Sequence, residues 1–328
     1  MLELNRTKIC FLRVGNRNKM PSAPSVTVID VGHGNIAEYL LRHNLRVIDL
    51  VLLSHADEDH IGGLIGLLSS KEFVVREVRL NTDALKGSAV WDDLVYELSK
   101  ADRSGQLVFR TSLNLADPGT IDLGSTQLQI LAPSAYLAAK GPGSLHRSGI
   151  RIETNTISSV IRVVYRGKPV ILLAGDLDEL GLSDLQENVH DAQSPILVFP
   201  HHGGRAGNNS DTALFTTRLC AYVKPEQIIF SIGRSDKYPR EEVIKATRSW
   251  QPGVRIVCTE LSKQCAAVVP KISPSHIGRL FSRGTSTRSC CAGTIQIQLD
   301  TSIIQPTLAE HEDFIILHAP NALCRRVF

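Results

Sequence analysis

Residues 51–64 read VLLSHADEDHIGGL, an apolar run that stops abruptly in a cluster of potential ligands. Val47 to Leu53 has the β-leaning composition of a buried strand, and the segment from Ile61 to Ser69 is helix-like, so His55, Asp57, Asp59 and His60 fall on the loop at a strand-to-helix corner. Four hard or borderline donors within six residues would repel one another and lose hydration unless a multivalent cation sat among them. Gly62 and Gly63 are expected to let the loop approach a bound group closely. A solvated acidic loop is the plainer reading of Asp57, Glu58 and Asp59 taken alone.

Two later segments repeat the pattern of an apolar strand ending in ligands. Val170 to Ala174 runs into Gly175-Asp176, and Val198-Phe199-Pro200 runs into His201-His202-Gly203. Each has a bland alternative: Asp176 as the N-cap of a helix over Asp178 to Gln186, and the paired histidines as a polar turn. The rest of the chain alternates strand and helix. Val74–Leu80, Gln127–Leu131, Gln227–Ile232 and Val254–Cys258 read as strands, and Val90–Ala101, Asp211–Ala221 and Arg240–Trp250 as helices. Such alternation predicts layered α/β packing with ligands at strand ends.

The first ligand string resembles the H-x-[HD]-x-D-H signature of the metallo-β-lactamase-fold hydrolases, and its aspartate at the third position with the following I-G-G resembles the ComEC-like branch. The later segments resemble the same family's L-L-x-G-D and P-H-H-G motifs, and the resemblance covers roughly residues 26 to 300. It implies a four-layer αββα sandwich, with two divalent metal ions, Zn²⁺ or Mn²⁺, at the edge where the sheets meet. It also implies a ligand set of His55 and Asp57 for one ion and Asp59, His60 and His201 for the other, bridged by Asp176. The extra carboxylate at Asp57 tilts the ligand set toward the harder Mn²⁺. Two such ions activate water and stabilise charge on a phosphoryl or carbonyl oxygen. Asp59 and His202 are therefore candidate catalytic residues, His202 to protonate a leaving group or bind phosphate.

Departures from the family pattern bear on the substrate wall. The opening Val26-Thr27-Val28-Ile29-Asp30-Val31-Gly32-His33-Gly34-Asn35 resembles F-L-D-V-G-Q-G-D, with His33 and Asn35 in place of the glutamine and last aspartate. A strand found in relatives after it has no counterpart, so the first sheet is expected to lack an edge. His33 faces the site or is an ordinary turn histidine. Asn155 and Ser158 match the branch's N-x-x-S, where many relatives carry a further ligand histidine, and are expected in substrate binding. Ser231 to Arg240 resembles S-V-G-x-x-N-x-Y-G-H-P without its histidine. Arg240 is there a candidate phosphate clamp or a plain helix-terminal charge.

A chain of 328 residues with 43% hydrophobic content can bury a large core, read as one domain over 1–300 with a C-terminal extension at 301–328. The formal net charge of +3 permits an anionic substrate and carries no nucleic-acid stripe. No run is apolar for long enough to span a bilayer and the start lacks a signal-peptide core, so a freestanding, cytoplasmic protein without a membrane partner is expected. Cys258, Cys265, Cys290 and Cys291 bracket a Ser/Arg-rich insertion (261–292) and are either inert thiols or an additional structural zinc site. The function expected is metal-dependent hydrolysis of a phosphodiester, by resemblance a nuclease acting on nucleic acid. The alternatives are hydrolysis of a small phosphoester or thioester, or a metal-stabilised interaction module whose protein partner is unknown.

Overall fold

The computed structural model describes residues 2–4, 10–14, 25–32, 36–207, 210–271, 276–277, 282–300 and 304–326. Two large sheets stack face to face. The first runs, in spatial order, Ile304–Gln305, Ile295–Ile297, Leu2–Leu4, Cys10–Val14, Ser25–Ile29, Leu50–Leu52, Glu77–Arg79 and Val108–Arg110. The second runs Arg255–Cys258, Gln227–Phe230, Ile196–Val198, Lys168–Leu173, Val160–Tyr165, Thr126–Ala132 and Thr120–Asp122.

Period-two alternation sorts their side chains between layers, because successive residues of a strand face opposite ways. Leu50, Leu52, Leu128, Ile130, Ile161, Val163, Ile171, Leu173, Ile229 and Val257 fill the space between the sheets. Their neighbours Val51 and Leu53 face outward into a core with the helices Ile36–Arg42, Leu64–Ser69 and Ala89–Arg103. Leu172, Leu197, Ile228, Phe230 and Ile256 pack outward with the helices Glu179–Asn188, Thr212–Val223 and Glu241–Trp250. Three apolar cores between four layers make an αββα sandwich, as the sequence predicts.

Several local expectations change. The apolar run before the ligands is two short strands, Val47–Ile48 pairing with Val74–Val75 and Leu50–Leu52 joining the main sheet. The helix expected over 61–69 breaks at Gly62-Gly63 into Glu58–Ile61 and Leu64–Ser69. Ser25–Ile29 is no edge: it is flanked by Cys10–Val14 and, directly, by Leu50–Leu52. The segment read as an extension is integral to the fold. Ile304–Gln305 pairs with Ile295–Ile297, and the helix Leu308–His318 puts Phe314 and Ile315 into the outer core of the second sheet.

Gly63 serves packing rather than ligand approach. A Cβ there would lie 2.6 Å from the Gly32 carbonyl oxygen, and the Gly63 N–H donates to the Val31 carbonyl at 2.8 Å. Gly63→Ala is expected to cost about 1–3 kcal/mol through backbone displacement. A lowered denaturation midpoint with an unchanged slope would show it; an unchanged midpoint would mean that the ligand loop is not pinned there.

Candidate metal centre

The ends of central strands from both sheets deliver the polar residues to one edge. Leu50–Leu52 continues into Ser54 and His55, Ser25–Ile29 into Asp30, Lys168–Leu173 into Asp176, and Ile196–Val198 into His201 and His202. His55 and His60 are 2% exposed, with ring centroids 4.0 Å apart. His60 Nε2 is 3.3 Å from Asp176 Oδ1, His201 Nδ1 is 3.6 Å from Asp176 Oδ2, and His55 Nε2 is 3.9 Å from the same oxygen. His55 Nε2 also lies 3.5 Å from Asp57 Oδ2, and His202 Nε2 lies 3.5 Å from Asp59 Oδ2. Two groups of donors lie within 4.8 Å of one another and share His60: His55, His60 and Asp176, all buried, and Asp59, His60 and His202 toward solvent.

Hydrogen bonds behind these rings set their tautomers. Asp30 is buried, and its Oδ1 accepts from the Ser54 N–H at 2.7 Å while its Oδ2 accepts from the Ser54 hydroxyl at 2.9 Å. With that hydroxyl donating to Asp30, its oxygen accepts from His55 Nδ1 at 2.9 Å, and His60 Nδ1 donates to Asp30 Oδ2 at 2.8 Å. His202 Nδ1 contacts the Ser231 carbonyl, an acceptor only. Each Nδ1 therefore holds the ring proton, and each neutral ring turns a bare Nε2 lone pair toward the cluster.

The electrostatics agree with that assignment. Burial, then the His60 ring, pushes the His55 pKa down, which keeps the imidazole neutral. Asp57 is held well below the usual carboxylate range, first by the His55 ring beside it and also by Lys86, which ion-pairs with it. The buried His55 Nε2 has no hydrogen-bond partner, a cost that a cation would remove. Separations of 3.3–3.9 Å are wider than hydrogen bonds and suit donors around one ion with bonds of about 2.0–2.2 Å. The residues present thus fit divalent metal.

Among the other residues expected here, Ser158 departs most. It is fully buried; its Oγ accepts from the Asp176 N–H at 2.9 Å and lies 3.4 Å from His55 Nδ1, so its side chain is engaged behind those two residues. Gly175, at φ +53°, has no room for a side chain against that hydroxyl, since a Cβ would lie 2.3 Å from Ser158 Oγ. Asn155 begins a one-turn helix, Asn155–Ile157, beside Ser158 and is half-buried. Arg240 lies against the histidine turn through its backbone, whose N–H donates to the Gly203 carbonyl, but its guanidinium pairs with Glu242 at 2.6 Å. His33 lies outside the described residues. The helix after Asp176 is capped by Asp178, whose Oδ1 accepts from the Gly181 N–H at 2.8 Å, so Asp176 is not that cap.

The sequence reading passed over Asp30, Ser54 and Lys86. The D-V-G string signalled Asp30, but nothing local marks Lys86, which reaches the centre from the loop after Glu77–Arg79.

A family model described as "Metallo-beta-lactamase superfamily" matches residues 25–205, more than half of the chain. No curated protein matches it. Among solved structures, the metallo-beta-lactamase fold protein YhfI from Bacillus subtilis is 9% identical over 76% of this chain and 88% of its own, with a TM-score of 0.43. Zn²⁺-bound PqqB from Methylobacterium extorquens is 12% identical over 76% and 84%, at 0.42. Igni18, a metallo hydrolase from the archaeon Ignicoccus hospitalis, is 15% identical over 78% and 93%, at 0.41.

Proposed function

The chain belongs to the metallo-beta-lactamase superfamily, and on that premise we propose that it is a dinuclear metal-dependent hydrolase of phosphodiesters, acting on nucleic acid. The observation that carries this reading is the pair of donor groups that share His60, one buried and one facing solvent. The third-position Asp57 and the Asn155–Ser158 pair support the ComEC-like branch within the superfamily.

Asp176 presents one oxygen to His60 and the other to His55 and His201, the placement a bridging ligand needs. We assign Asp59, His60 and His202 to the outer ion and His55 and Asp57 to the inner one, with Asp176 bridging the two and His201 held against Asp176. His202 joins the ligands because its ring proton is committed to Ser231 and its bare nitrogen faces Asp59. Bound divalent ions would activate water and neutralise charge gathering on the phosphoryl group. Lys86, beside Asp57, supplies a cation at the rim that can meet a phosphate oxygen.

Metal-reconstituted protein is expected to cleave nucleic acids in a panel that also holds small phosphodiesters and thioesters. Asp59→Ala is expected to be inactive with an unchanged far-ultraviolet spectrum, because its 59%-exposed side chain carries little packing. Full activity after verified metal removal would overturn the mechanism. Turnover of the small compounds alone would overturn the nucleic-acid assignment and keep the hydrolase.

A further inference from the structure

Four cysteines and one histidine meet beyond the end of the strand Arg255–Cys258, in the outer layer beside the second sheet. Cys258 ends the strand Arg255–Cys258, and Cys265 follows the turn closed by its own N–H on the Ser262 carbonyl at 3.0 Å. Cys291 lies on the chain that returns beside Cys258, where the Ala292 N–H donates to the Cys258 carbonyl at 2.9 Å. His311 is on the helix Leu308–His318, and Cys324 on the one-turn helix Leu323–Arg325. All five line one cavity of about 10 Å³, room for a single water-sized sphere and for no organic ligand.

None of the four cysteines is in a disulfide. The Cys258 thiol feels the other three, and Cys291 feels Cys324 and Cys265; burial, ahead of these, pushes Cys324 up to about 11 and Cys258 and Cys291 well above the usual thiol range. Without an ion, then, the group is a set of neutral thiols. His311, held neutral by burial, sets its Nε2 3.1 Å from Cys291 Sγ. Cys290, which the sequence placed with this group, points the other way. Its sulfur sits 3.2 Å from Ser282 Oγ.

Buried cysteines are usually small hydrophobes, but two features here point to an ion. The donors come from five separate stretches of chain and converge on a cavity the size of one ion. Arginines also stand beside the cysteines: Arg248 donates to the Cys324 carbonyl at 2.6 Å, Arg234 to the Ala266 carbonyl at 2.8 Å, and Arg326 and Arg325 act on Cys265 and Cys324. Four thiolates around a divalent ion carry a net double negative charge, which such neighbours offset.

We propose that Cys258, Cys265, Cys291 and Cys324 bind a structural zinc ion, with His311 against the Cys291 sulfur, clipping the C-terminal turn and the 259–290 excursion to the second sheet. Soft thiolate donors in tetrahedral number select zinc. Binding releases the four thiol protons to solvent as four Zn–S bonds form, with no change in oxidation state. Among the described residues, the groups of donors already within 4.8 Å of one another are those at the catalytic edge, so closure on the ion takes rotation of cysteine side chains.

The test uses the full chain carrying Asp176→Ala, in which the catalytic centre is weakened, reconstituted with Co²⁺ in place of zinc. Intense near-ultraviolet sulfur-to-cobalt charge transfer is expected, together with retention of one zinc ion per chain when zinc is supplied. Cys265→Ser and Cys324→Ser are each expected to abolish the charge-transfer band and lower the melting temperature. Should the serine variants not fold, the parent chain still decides. Absence of the band at saturating Co²⁺, with all four thiols reacting freely in the zinc-treated native protein, would overturn the proposal. Persistence of the band in both folded variants would do so too.

Discussion

Asp176→Ala is expected to lower hydrolysis by about three orders of magnitude or more, because losing the bridging ligand removes several kcal/mol of transition-state stabilisation. Asp176 stands between three imidazoles, with one oxygen 3.3 Å from His60 Nε2 and the other 3.9 Å from His55 Nε2 and 3.6 Å from His201 Nδ1. The same variant should lose metal measurably by elemental analysis. Its fold should survive, since the backbone N–H of residue 176 keeps its bond to Ser158 and Gly175 keeps its place in the turn. Retention of both catalytic ions with wild-type turnover would sink the bridging role. Retention of the ions with lost turnover would instead move Asp176 from holding metal to orienting substrate.

How much of this centre was legible in the sequence depended on how local each signal was. His55, Asp57, Asp59 and His60 stand in one loop directly after an apolar strand, so periodicity and ligand chemistry together expose them. Asp30 reaches His60 across a separation of 30 residues and Ser158 reaches His55 across 103. Such contacts are made by strand order, which local pattern does not encode. A motif match says which residue is present and not which way it faces, and Ser158 turns inward. Cys324 and His311 could join Cys258 only once the C-terminal helix was docked. That helix carried a readable start: Thr307 and Glu310 form a capping box, each side chain bonding the other's backbone N–H. Phe314 and Ile315 then mark its buried face.

Asp30→Asn is expected to weaken metal binding by about 10–100-fold, the usual cost of losing a partner behind a ligand histidine, while leaving the melting temperature close to wild type. The substitution keeps size and shape, and asparagine tolerates the left-handed backbone that Asp30 adopts at φ 57°. Its amide oxygen can still accept from the Ser54 N–H as Oδ1 does now. What changes is the proton order. An NH₂ in place of Oδ2 donates where the carboxylate accepted, so the Ser54 hydroxyl and His60 Nδ1 must receive protons rather than give them. His60 then carries its proton on Nε2, the nitrogen that faces Asp176, and has no lone pair left for an ion. Through Ser54, which can turn its hydroxyl toward His55 Nδ1, the same reversal reaches the second ring. One isosteric change thereby puts two ligands into the wrong tautomer, an effect that a packing role for Asp30 would not produce. Competition with a metal indicator measures it, and unchanged affinity in a folded Asp30→Asn protein would show that the tautomers are set by the ions themselves.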